Sequence, residues 1–77
     1  MPPTVFNEDG FRFFFYSNEH KPTHVHVEKG DGAAKFDLEP IDLVKNEGLK
    51  AKELKKAEEI IKEHKEEILT RWNEYFG

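Results

Sequence analysis

Glycine and proline are distributed unevenly along this chain, and that unevenness constrains the fold more than any other feature. All four prolines and four of the five glycines lie at or before Gly48, and none follows until Gly77. The N-terminal half is therefore punctuated by turns, while the C-terminal stretch is free to form a long uninterrupted element. In that stretch Leu54, Ala57, Ile61, His64, Ile68, Trp72 and Tyr75 or Phe76 recur at steps of three and four. This is the stripe of an amphipathic helix. The helix is predicted over 50–76, with Lys50 at the N-cap, Glu53 at N3, and Leu49 and Leu54 placed as a hydrophobic staple. At 1.5 Å per residue it would run ~39 Å, long for a small sheet, so either a bend near His64-Lys65 or a tail that packs on a partner is expected. Lysines and glutamates at i,i+4, such as Glu58/Lys62, form its solvated face.

The first half reads as strands. Thr4-Val5-Phe6 and Phe11–Tyr16 flank Asp9-Gly10, whose positive-φ chemistry suits a hairpin. Ser17 to Thr23 is a loop containing Pro22. His24–Glu28 alternates polar and apolar residues at period two, a strand with one buried face. A turn at Lys29-Gly30-Asp31-Gly32 leads to a returning strand, Ala33–Leu38, and Ile41–Val44 is a short edge strand before a turn at Asn46-Glu47-Gly48. The fold class is therefore α+β. One domain over 1–77 has a β-rich half (1–49) of three to five antiparallel strands, packed by the C-terminal helix.

Seven Phe, two Tyr and one Trp supply large rings to a core that would otherwise be small. No cysteine is present, which excludes disulfides and thiolate–zinc sites and fits a reducing cytoplasm. No apolar run approaches a membrane span, and Met-Pro-Pro-Thr does not open a secretion signal. The expected location is cytoplasmic. The net charge of −4 argues against broad binding of a phosphate backbone.

Alternation along the strands sorts their side chains onto two faces. Phe11, Phe13, Phe15, Val25, Val27, Ala34, Phe36 and Leu38 are assigned to the helix side. Arg12, Phe14, Tyr16, His24, His26, Lys35 and Asp37 are left on the other. A merely solvated face would favour Lys, Glu, Thr and Ser. This one carries imidazoles, a guanidinium, a phenol and a carboxylate.

Three of the four histidines, His20, His24 and His26, fall within seven residues. One reading is acid–base catalysis without a metal. His24 and His26 would exchange protons with an RNA 2′-hydroxyl and leaving oxygen, helped by His20, Arg12 and Lys35, while Phe14 or Tyr16 stacks on a base. A second is a divalent metal site, zinc or a similar ion. His-x-His on a strand sets two imidazoles roughly 6–7 Å apart at the backbone. His20, Glu19 or Asp37 completes the set, and His20, His24 and His26 form the all-imidazole version. A third is a non-catalytic interaction face made of Phe14, Tyr16, Glu19 and Asp37 with the histidines. On the first and third readings no cofactor is required.

The run Phe11-Arg12-Phe13-Phe14-Phe15-Tyr16-Ser17-Asn18-Glu19-His20, continuing through Pro22 to His24-Val25-His26-Val27, closely resembles the signature of a small bacterial family of unknown function, DUF family 4160. The similarity extends through Gly30-Asp31-Gly32, Leu38-Glu39-Pro40 and Trp72-Asn73-Glu74-Tyr75-Phe76. Thr23 stands where members often have a second proline. The resemblance implies one half of a two-gene toxin–antitoxin-type module, with a small cognate protein of DUF family 2442 encoded nearby as partner. The toxin-like ribonuclease reading follows from it, with RNA as substrate. A homodimer is a further way to support so small a core.

Overall fold

The computed structural model describes residues 4–16 and 19–77. Five strands form one sheet in the order β1-β2-β3-β4-β5, every neighbouring pair antiparallel. They are β1 (Thr4–Glu8), β2 (Phe11–Phe14), β3 (His24–Lys29), β4 (Gly32–Leu38) and β5 (Ile41–Glu47). Two helices follow, α1 (Ala51–Glu63) and α2 (Lys65–Phe76). The α+β class and the single meandering sheet match the sequence expectation. The Ser17-Asn18 part of the expected loop lies outside the described residues.

Local chemistry sets the turns. Asp9 and Gly10 both take positive φ, 53° and 83°, the pairing that lets a two-residue turn follow the twist of its strands. At the helix start the Glu53 carboxylate accepts the backbone N–H of Lys50 at 2.9 Å, satisfying one terminal donor.

Several strand boundaries differ from expectation: β1 extends through Glu8, β2 ends at Phe14, and β5 runs through Glu47, because Lys45 and Asn46 pair with Lys35 and Ala34. The 50–76 helix is interrupted at His64 (φ −107°, ψ 15°), where a bend was expected. The longest strands, of seven residues, span only ~23 Å. A straight rod of the full helical length would overhang them, and the break lets both segments lie on the sheet.

The eight sheet residues assigned to the helix side are all buried. They meet Ala57, Ile60 and Ile61 of α1, Ile68 and Trp72 of α2, and Leu49 in one cluster. His64 lies at the edge of this core: it is partly buried, packs on Phe6 at 4.5 Å, and bonds to Glu8 and Glu67. Tyr75 is half-exposed, while Phe76 packs against the core edge.

The opposite face is less open than alternation suggests. Phe14 retains 4% of its surface. The Arg12 guanidinium lies 4.3 Å from its ring centre, His26 stacks on it at 5.5 Å, and Tyr16 meets it edge-on at 5.5 Å. His24, expected on display, is also buried. Trp72 reaches around from α2 and packs on its ring at 5.1 Å.

Candidate functional site

The site is assembled at the start of β3. Pairing in the middle of the sheet holds this strand rigidly, with His24 opposite Asp37 and His26 opposite Lys35 on β4. The Leu38 N–H donates to the Thr23 carbonyl at 3.2 Å and ties the end of the preceding loop to β4. That loop carries Glu19 inward, to a side-chain exposure of only 10%.

One carboxylate oxygen, Glu19 Oε2, lies 2.6 Å from His24 Nε2 and 2.9 Å from His26 Nε2. The two imidazoles stand nearly perpendicular, 5.1 Å between centres. The other ring nitrogen of His24, Nδ1, donates to the Pro22 carbonyl at 2.7 Å. This last bond constrains the chemistry. With its proton on Nδ1, a neutral His24 turns the Nε2 lone pair toward Glu19. Two lone pairs at 2.6 Å repel, so the contact needs a proton or a metal cation between the atoms. His26 faces a different balance. Burial, with the neighbouring His24 and Lys35, depresses its pKa below the ordinary histidine value, although Glu19 opposes the shift. A neutral His26 still satisfies Glu19 by donating from Nε2.

Glu19, His24 and His26 thus offer three ligand atoms within reach of one point. Tetrahedral zinc at ~2.0–2.1 Å would hold such atoms roughly 3.3 Å apart, so the observed contacts need open by less than about 1 Å. Among the described residues a second grouping, Glu8, Glu63 and His64, also converges. Both nitrogens of that imidazole are already bonded to carboxylates.

The remaining predicted residues are dispersed. His20 is exposed and lies outside the Glu19–His24–His26 grouping. Arg12 is bound to Glu28 and Thr4, both at 3.0 Å, and lies over Phe14. Lys35 and Tyr16 border a concavity beside His26, which Lys45, Glu47 and Ala33 also line. Asp37 is partly buried opposite His24, outside the cluster. Of the alternatives weighed for the third ligand, Glu19 is the one brought to the histidines. No sequence signal pointed to the Pro22 carbonyl, to Trp72 as the cover of His24, or to Lys45 and Glu47.

Fold and site together define a small α+β meander with a two-histidine, one-carboxylate cluster at the end of its central strand. A family model described as a domain of unknown function (DUF4160) matches residues 10–73, and the chain belongs to that family. The match takes in the whole cluster and Trp72. No curated protein and no solved structure matches the chain. No described helix is long and apolar enough to cross a membrane.

Proposed function

We propose that this protein is a divalent-metal-binding domain whose ligands are His24 Nε2, His26 Nε2 and a Glu19 carboxylate oxygen. The observation that carries the reading is the orientation of His24. Its Nε2 is aimed at the other two donors, and its Nδ1–H is anchored on the Pro22 carbonyl at 2.7 Å. That outer bond is the arrangement by which proteins orient metal-binding imidazoles and raise their basicity. Two nitrogens and one oxygen suit zinc and neighbouring first-row ions, and a tetrahedral ion would keep one position for water or substrate.

The toxin-like ribonuclease with His24 and His26 as acid and base receives less support. Both Nε2 atoms are turned onto the same carboxylate, and the His24 side chain is only 5% exposed. A general acid or base must come within hydrogen-bond reach of its substrate.

Calorimetric titration of the chelator-stripped protein with zinc tests the proposal. One equivalent should bind, and at a hundredfold excess over Kd the fold should gain about 2.7 kcal/mol. His24→Gln should abolish binding, whereas His20→Gln should leave it unchanged. Neither heat nor a melting shift in the parent protein would overturn the assignment. So would equal loss of binding in His20→Gln.

A further inference from the structure

The concavity beside the cluster has a composition that the metal reading does not use. It encloses about 270 Å³ on the open face of the sheet. Phe14, His26, Lys35 and Lys45 lie in one register row across β2 to β5. One end of the row is aromatic and the other cationic. Tyr16 stands at the aromatic end, half-exposed, with its ring edge-on to His26 at 4.4 Å. The small side chain of Ala33 leaves the neighbouring position open.

The cationic end is unbalanced. Lys35 and Lys45 are directly opposed on adjacent strands, a like-charge pairing that costs stability. Among the described residues Lys35 has no carboxylate within salt-bridge distance. Lys45 has only Glu47, at 3.8 Å with both side chains 66% exposed. An anion placed between the ammonium groups would relieve this repulsion and replace water at both. A flat ring attached to it would reach the half-exposed ring of Tyr16 and the exposed edge of His26.

We propose that this concavity binds a small planar anion, a flat ring bearing a phosphate or carboxylate group, with the anion between Lys35 and Lys45 and the ring against Tyr16 and His26. The proposal goes beyond the metal site and does not depend on it.

The test is an amide-shift titration of the chelator-treated protein with adenosine monophosphate and, separately, benzoate. Inorganic phosphate and adenosine serve as half-ligands. Saturable shifts at Ala33, Lys35 and Lys45 are expected, with a ring-bearing anion at least about tenfold tighter than either half. Lys35→Gln should weaken binding about tenfold or more, yet be no less stable than the parent, because a cross-strand repulsion is removed. Ala33→Leu should block the floor. The proposal is overturned if neither probe shifts these amides at millimolar concentration, if phosphate alone binds as well as the nucleotide, or if Lys35→Gln binds unchanged. Because chelator is present throughout, failure here leaves the zinc titration untouched.

Discussion

Replacing Glu19 by glutamine preserves the shape of the side chain and removes its charge, which isolates what the carboxylate contributes to the cluster. In the parent a single oxygen serves both imidazoles, at 2.6 and 2.9 Å, and the three side chains are 5–16% exposed. Hydrogen bonds to a charged group contribute about 1.5–3 kcal/mol net, against about 0.5–1.5 for neutral ones. Without metal only the contact to His26 is a hydrogen bond, and losing its charge assistance gives a destabilisation of about 1 kcal/mol. For a domain of this size that is a fall in Tm of roughly 4–8 °C. Urea unfolding in chelator measures it, and Trp72 is a built-in reporter. It is the only tryptophan, and its ring lies 5.1 Å from that of His24. With zinc present the gap between parent and Glu19→Gln should widen, since only the parent retains all three ligands. If the variant is as stable as the parent in chelator, within about 0.5 kcal/mol, the carboxylate does not hold the imidazoles together and the reasoning fails.

Two further outcomes test the rest of the fold. His64 donates to Glu67 at 3.0 Å and to Glu8 at 2.9 Å, stacks on Phe6 at 4.5 Å, and has Glu63 close by. The hydrogen bond to Glu67 raises its pKa above the ordinary histidine value; burial opposes the rise, and the hydrogen bond to Glu8 and the charges of both carboxylates restore it. Its folded form therefore binds the proton more tightly than the unfolded chain. The stabilisation is complete below about pH 6.5 and is lost as pH rises through the raised folded value. The Tm gap between parent and His64→Gln should therefore shrink from mildly acid to mildly alkaline pH. A gap that grows with pH would reverse the assignment. Gly32→Ala should cost about 1–3 kcal/mol by urea denaturation. A Cβ there would meet Leu49 Cδ2 at 2.7 Å and the Gly48 carbonyl at 3.1 Å, so unchanged stability would contradict the close packing of β4 on that segment.

How much was legible differs between fold and site. Turn residues, period-two alternation and the long glycine-free stretch are local signals, and they account for the five strands and the helical half. The register of β5 was not local. Asn46 and Glu47 precede Gly48 in a turn-like string, yet β4 offers Lys45 and Asn46 a ladder, and pairing outweighs a weak turn preference. Phe14 shows a similar override. Alternation places it correctly on the open face, but Arg12, Tyr16 and His26 then cover it.

The sequence by itself determined that Val25 and Val27 would enter the core and that His24 and His26 would lie close together, because a strand permits no other alternation. It did not determine their chemistry. That was decided by which carboxylate the loop delivered, by the Pro22 carbonyl that accepts the Nδ1 proton of His24, and by Trp72, which arrives from α2 to pack on the His24 ring. Trp72 is far from the histidines along the chain. Its contact with the His24 ring depends on how the two helical segments lie on the sheet; the length of the helical stretch implied a break near His64, but not where Trp72 would pack.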